Sequence, residues 1–140
     1  MRRFIFAVLF SLVFLLTSCG QTGVFVPEDV ERVIVSPYAN RDMTFEYTSE
    51  EKIGVITDLI KSLGNLSQTE ENPLDYNGAS YVIYLITEDQ SRYTYVESGG
   101  RFFKEGENPW CEIPEDKASR FEEIFKEYEP DIPAEKNLFE

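Results

Sequence analysis

The residue types that most often carry enzyme chemistry are scarce or unpatterned in this sequence. The chain of 140 residues contains no histidine, which excludes Ser-His-Asp and Cys-His nucleophilic sites and imidazole metal ligands. Its two cysteines are Cys19 and Cys111. The 26 acidic residues guarantee carboxylate pairs by abundance alone, so such pairs do not indicate a glycosidase. We therefore expect no enzymatic activity, no cofactor and no metal site.

The first 18 residues have the pattern of an export signal. Arg2 and Arg3 form a short positive region, and residues 4–16 are apolar except for Ser11. A bilayer-spanning helix needs roughly 20 apolar residues, so this shorter run predicts a signal peptide over residues 1–18.

The predicted signal peptide ends in a short motif. Residues 16–19 read Leu-Thr-Ser-Cys, which is an aliphatic residue, two small residues and a cysteine. This motif resembles the lipobox of bacterial lipoproteins. The resemblance implies that the thiol of Cys19 is lipidated, with fatty acids such as palmitate, and that Cys19 begins the mature chain. The alternative is an uncleaved membrane anchor with an incidental cysteine.

Lipidation would make the protein an extracytoplasmic resident of the cell membrane. Two or more acyl chains hold a protein stably on a bilayer without a spanning helix. Removal of residues 1–18, which contain two arginines and no acidic residue, would move the formal charge from −13 to −15. A chain this acidic is repelled by phosphate backbones and anionic lipid surfaces, so we expect no nucleic-acid partner and an anchor made by lipid alone.

The remainder of the chain is predicted to form a tether and one domain. Residues 19–29 form the lipidated N-terminus and a short uncharged spacer, in which Val24 and Phe25 could instead begin an edge strand. Residues 30–129 form the domain, and residues 130–140 form a polar C-terminal tail.

Periodicity within the domain predicts an α+β fold. Alternating or continuous apolar runs predict strands at 30–37, 43–48, 81–87, 92–97 and 101–104, with a further short strand at 109–113. Three- and four-residue spacing predicts helices at 49–63 and 114–129, and residues 65–79 are predicted to be a polar loop. Short connections favour a mainly antiparallel sheet of about five strands with both helices packed on one face.

Local signals define the ends of the first predicted helix. Thr48 and Glu51 have capping-box spacing, and Gly64 stands where a left-handed residue is needed after the helix. Gly99 and Gly100 predict a tight turn between two strands.

Aromatic residues are concentrated on the predicted consecutive strands. In a binding module, such rings could present a platform to sugar rings or to a peptide, whereas in a plain fold they would form core and cross-strand pairs. Cys111 is interpreted as a buried structural cysteine beside Trp110 rather than a reactive thiol. The candidate binding surface comprises Tyr81, Tyr84, Tyr93, Tyr95 and Trp110.

Taken whole, the chain resembles small Gram-positive lipoproteins that carry one α+β domain of unknown function after a lipobox. The resemblance is specific at residues 16–19 and rests on element order elsewhere. We expect a membrane-anchored, non-catalytic module that binds a protein, a peptide or an envelope component. The alternatives are an inhibitor or immunity-type lipoprotein that binds a basic target, or a cell-wall hydrolase that uses carboxylates alone.

Overall fold

The protein is organised around one antiparallel β-sheet. The computed structural model describes residues 21–40 and 42–132, so the predicted signal peptide, Cys19 and most of the C-terminal tail lie outside the described residues. The strands within these ranges are β1 (Gln21–Gly23), β2 (Val30–Pro37), β3 (Phe45–Tyr47), β4 (Asn65–Gln68), β5 (Ser80–Thr87), β6 (Arg92–Ser98), β7 (Phe102–Glu105) and β8 (Cys111–Glu112). Their order in the sheet is β1-β4-β8-β7-β6-β5-β2-β3, and every neighbouring pair is antiparallel.

Two α-helices complete the predicted α+β class. They are α1 (Glu50–Ser62) and α2 (Arg120–Glu127), with short 3-10 turns at Pro73–Asp75 and Glu115–Lys117. The class and the antiparallel sheet are confirmed, but the sheet is larger than the five or so strands that the sequence predicts. No helix among the described residues is long and apolar enough to cross a membrane.

The additional strands β1 and β4 lie together at one edge of the sheet. β1 falls within the predicted tether, and β4 begins the segment predicted to be a loop. Of the β4 side chains only Leu66 is buried, so the segment lacks the alternation of buried and exposed residues that marks a half-buried strand. Pairing with neighbouring strands, rather than a local sequence pattern, therefore places β1 and β4 in the sheet.

The core lies between the helices and one face of the sheet. Val33 and Val35 on β2 and Ile83 and Leu85 on β5 are fully buried on this face, which we call the helix face. Both helices contribute to the same hydrophobic cluster through Ile53, Ile56 and Ile60 of α1 and Phe121 and Ile124 of α2. Helix residues spaced three to four positions apart therefore pack against strand residues spaced two positions apart.

Helix α1 forms where the sequence predicts it, but its N-terminal cap differs from the prediction. The N-cap residue is Ser49, and no side chain within the first turn completes the predicted capping box of Thr48 and Glu51. Instead, Oδ2 of Asp131 accepts hydrogen bonds from the backbone N–H groups of Thr48 and Ser49, each at 2.9 Å. At the other end, Gly64 has the predicted left-handed backbone, with φ of 64°.

Asp131 also connects the C-terminal segment to the sheet. Its second carboxylate oxygen lies 2.6 Å from Nζ of Lys52, and its backbone N–H donates to the carbonyl of Glu46 on β3. The ion pair with Lys52 and the two backbone N–H donors hold the pKa of Asp131 well below its usual range. The carboxylate therefore stabilises the folded chain in its ionised form.

Helix α2 begins later than predicted. The predicted helix from Pro114 is divided, because Ser119 adopts a left-handed backbone with φ of 63° between the 3-10 turn and α2. Its N–H donates to the carbonyl of Gly100 at 3.1 Å, which holds the start of α2 against the turn between β6 and β7. A Cβ on Gly100 would lie 2.9 Å from the Ser119 nitrogen, so only glycine allows this approach.

We predict that Asp131→Asn lowers the thermal unfolding midpoint at neutral pH, because it removes the ion pair with Lys52 and weakens the cap. A group whose folded pKa is depressed contributes stability above its unfolded pKa and loses it as the pH falls. The difference from wild type should therefore narrow below pH 3.8, the ordinary value for this side chain. The matched control is Asp58→Asn, which removes an exposed carboxylate from helix α1, the helix that Asp131 caps. Equal midpoints for the two variants at neutral pH would contradict the role of Asp131.

Candidate functional site

The face of the sheet turned away from the helices carries the candidate site, and we call it the outer face. Alternation along β5 places Tyr84 and Ile86 on the outer face, because Ile83 and Leu85 point into the core. In register, Ile86 lies between Arg32 on β2 and Arg92 on β6. The stems of long basic side chains can shield apolar residues from water, and Ile86 is only 5% exposed.

A groove crosses the outer face over β2, β5, β6 and β7. It consists of two adjoining parts of about 540 and 240 Å³, which share Tyr38, Val96, Lys104 and Trp110. The other lining residues are Ser36, Thr44, Asn72, Pro73, Ser80, Val82, Tyr84 and Ser98. The lining therefore combines aromatic rings, hydroxyl groups and one ammonium group, and we call it the outer-face groove.

Trp110 and Lys104 form the most specific contact of the groove. Nζ of Lys104 lies 5.1 Å from the centroid of the Trp110 ring, which is within the range of a cation–π interaction. Lys104 pairs in register with Val96 across β7 and β6. Trp110 directly precedes β8, and its carbonyl accepts a hydrogen bond from Thr69 N–H at 3.0 Å. Backbone hydrogen bonds therefore position the main chain of both residues.

The segment between β4 and β5 forms one wall of the groove. Within it, the ring of Tyr76 lies 5.0 Å from the ring of Phe102, which is fully buried on the outer face. The guanidinium of Arg101 lies 4.6 Å from the centroid of the Tyr76 ring and 3.4 Å from the carboxylate of Glu71. Pro73 lines the groove itself. The segment predicted to be a polar loop is thus attached to the sheet by aromatic and charged contacts.

The electrostatics of the groove centre on Lys104. The outer-face carboxylates have basic partners elsewhere: Glu46 lies 2.9 Å from Arg32, and Glu112 lies 3.7 Å from Arg101. Within residues 21–40 and 42–132, no carboxylate lies within 4.0 Å of the Lys104 ammonium. The groove therefore presents a positive charge that these residues do not neutralise, on a chain with a formal charge of −13.

The structure separates the five aromatic residues that the sequence selects as a candidate surface. Tyr84 and Trp110 line the outer-face groove. Tyr81 lies on the helix face, with its ring 4.8 Å from that of Phe125 and next to an apolar pocket of about 490 Å³.

The other two members of that set, Tyr93 and Tyr95, also point toward the helix face. The Tyr93 ring lies 5.6 Å from Phe25. Tyr95 is fully buried, its hydroxyl donates to the Phe25 carbonyl at 2.6 Å, and burial raises the pKa of Tyr95 well above its usual range. Of the five aromatic residues, Tyr84 and Trp110 therefore line the outer-face groove, whereas the other three lie on the helix face.

Two groove residues, Lys104 and Tyr38, were not selected from the sequence. Lys104 follows Phe103, whose side chain is in the core, so strand alternation could have assigned Lys104 to the outer face. Tyr38 follows the strand-ending Pro37, and no local pattern places its ring near Trp110. Their proximity depends on which strands are neighbours.

Cys111 is buried, as predicted. Its side chain belongs to the core cluster at 4% exposure, and Sγ lies 3.7 Å from the carbonyl oxygen of Pro109. It does not line the outer-face groove. These observations fit a structural cysteine.

Among the described residues, Glu97 is the acidic side chain whose pKa the fold raises most. It lies on the helix face at 1% exposure, and its side chain accepts a hydrogen bond from the N–H of Gly100. Burial raises the pKa of Glu97 to about 7, with a further contribution from the charge on Glu122, while the Gly100 hydrogen bond acts in the opposite direction. A carboxyl with such a pKa could act as an acid or a base, but Glu97 does not line the groove.

Comparison of the chain with protein-family models, with curated proteins and with solved structures gives no match. Function must therefore be inferred from the residues and their geometry.

Glu97→Gln should stabilise the protein at pH 8. An acid whose pKa rises from 4.5 to about 7 on folding costs stability as the pH rises through that interval, because the unfolded chain loses its proton first. The glutamine variant avoids this cost, so it should gain about 3 kcal/mol at most in unfolding free energy at pH 8, and nothing below about pH 4.5. Denaturant unfolding at both pH values measures this difference. Exposed Glu107→Gln serves as the control, and a destabilised Glu97→Gln protein at pH 8 would contradict the assignment.

Proposed function

We propose that the protein is a lipid-anchored, extracytoplasmic binding module that holds an envelope ligand in the outer-face groove. The observation that carries the proposal is the groove itself: three aromatic rings, Tyr38, Tyr84 and Trp110, and an ammonium group that the described carboxylates do not neutralise. Rings on a rigid sheet give a large contact area at little cost in conformational entropy.

The anchor and the groove have complementary roles in this proposal. A lipid on Cys19 would keep the domain close to the membrane, where an envelope component is available at high local concentration. One residue, Gly20, separates this attachment point from β1 at Gln21–Gly23. The domain would therefore lie close to the membrane.

The lining of the groove favours binding over hydrolysis. A carboxylate-only glycosidase needs two carboxyl groups on opposite sides of the reacting bond. Neither an aspartate nor a glutamate lines the groove within the part of the chain that the structure describes. The perturbed carboxyl, Glu97, lies on the opposite side of the sheet.

The helices support a second candidate function, an inhibitor or immunity-type role. Several carboxylates are exposed along the two helices: Glu50, Glu51, Asp58, Glu123 and Glu127. Such a surface would attract a basic protein, and high salt would weaken the complex.

Cys19→Ala should release the protein from the membrane fraction, because the thiol that accepts the lipid is gone. Incorporation of a labelled fatty acid into the chain should disappear at the same time. Cys111→Ala, which removes the other thiol, should leave both membrane association and labelling intact. Wild-type protein without a lipid, free in the medium, would contradict the anchoring proposal.

The double variant Trp110→Ala, Tyr84→Ser should lose affinity for the envelope by tenfold or more, because two of the three aromatic rings that line the groove are removed. The assay is co-sedimentation with isolated host envelopes, carried out in a Cys19→Ala background so that the lipid does not contribute. Phe25→Ala removes an exposed ring that does not line the groove and should sediment as the parent does. Equal sedimentation of all three proteins would exclude the groove as the binding surface.

A further inference from the structure

We propose that the ligand of the outer-face groove is an acidic saccharide, whose carboxylate is recognised by Lys104 while a sugar ring stacks on Trp110. This inference rests on the proposed binding function of the groove and assigns the chemistry of its ligand.

The charge of the ligand follows from Lys104. Its ammonium lies 5.1 Å from the centroid of the Trp110 ring and beyond 4.0 Å of every carboxylate in the described ranges. On the same side of the sheet, Arg32 and Arg101 have carboxylate partners and Arg92 lies over the Tyr84 ring, 5.3 Å from its centroid. Lys104 has no carboxylate partner among the described residues, so its charge is available to a ligand. A charge-assisted hydrogen bond between an ammonium and a carboxylate is stronger than a neutral one, which favours an anionic group at this position.

The other residues that line the groove indicate that the ligand is a saccharide. Rings of Tyr38 and Trp110 provide flat apolar surfaces, onto which the C–H groups of a sugar ring can pack. The Tyr84 ring also lines the groove, with the guanidinium of Arg92 5.3 Å from its centroid. Hydroxyl side chains surround them, among them Ser80 and Ser98, whose oxygens lie 3.1 Å apart. A hydroxyl offers one donor and two acceptor positions, so a group that already has one partner can still bond a sugar hydroxyl.

A peptide fits this surface less well. Peptides that bind sheets usually add a strand to a free edge, where backbone groups are available. The groove crosses β5 and β6, which are interior strands paired on both sides, so their backbone hydrogen-bonding groups are already used. An extended peptide lying on the face would have to satisfy its own backbone through side chains alone.

The dimensions of the groove suit a short stretch of a glycan. Its two parts of about 540 and 240 Å³ adjoin at Lys104 and Trp110, and together they lie within the range of small-molecule sites. One sugar ring can occupy each part while the carboxylate lies near the ammonium where the two parts meet.

The test uses Trp110, the only tryptophan of the chain, as a fluorescent reporter of the groove. The full-length protein is titrated with N-acetylglucosaminyl-N-acetylmuramic acid and with diacetylchitobiose, which lacks the 3-O-lactyl group that carries the carboxylate. We expect a saturable change in fluorescence with the acidic disaccharide, at an affinity about tenfold or more above that of the neutral one, since the carboxylate adds a charge-assisted contact.

Three variants locate the origin of this preference. Lys104→Gln should bind both disaccharides equally and weakly, whereas Lys104→Arg, which keeps the charge, should retain the preference for the acidic one. Lys61→Gln removes an exposed positive charge on helix α1 and should behave as wild type. Equal thermal midpoints for the Lys104 variants and wild type establish that the fold is intact.

The other outcomes separate this inference from the proposed function. If both disaccharides bind wild type equally and Lys104→Gln has no effect, acid recognition is overturned while the groove stands as a saccharide site. If an acidic tripeptide changes the fluorescence and neither disaccharide does, the saccharide assignment is overturned while the groove stands as a binding site. If no probe changes the fluorescence, the saccharide inference fails, and the envelope sedimentation assay alone decides the proposed function.

Discussion

The rest of the structure depends on one constraint: the chain has two short helices among its described residues, and both pack on the same face of the sheet. Helices of 13 and 8 residues measure about 20 and 12 Å, whereas eight strands spaced about 4.8 Å apart span roughly 34 Å. The two helices pack into one core cluster on one face, so the outer face must be stable in water through its own side chains. It achieves this with ion pairs and with rings that cover apolar neighbours, as Tyr76 covers Phe102.

The same constraint leads to the site. Side chains that shield an uncovered sheet face must be long, aromatic or charged, and these are also the side chains that recognise ligands. On the outer face, Arg32 and Arg101 are neutralised by carboxylates, whereas Lys104 is held over an indole ring instead. A stabilising contact and an available positive charge therefore coincide in one residue, which connects the stability of the face to its proposed function.

Local patterns predicted the interior of the fold and the edge formed by β3, but failed at the opposite edge, formed by β1 and β4. Helix α1 and strands β2, β5 and β6 carry strong periodicity, because one or both of their faces are buried. Strands β1 and β4 are short and largely polar, so they are recognised only by the pairing of β1 with β4 and of β4 with β8. The cap of α1 comes from Asp131, some 80 positions along the chain, and no local rule could have found it. For the site, alternation alone assigns Tyr81 and Tyr84 to opposite faces, but the contact between Trp110 and Lys104 requires the strand order.

The central claim is that the face left uncovered by the helices is where the ligand binds. The most direct test is ¹⁹F NMR of the full-length protein labelled with 5-fluorotryptophan, which gives one signal because Trp110 is the only tryptophan. Addition of a solubilised extract of the host envelope should shift or broaden this signal in a saturable manner. A signal that keeps its position and width at every extract concentration, while the same extract perturbs backbone amides of the helices, would contradict the account.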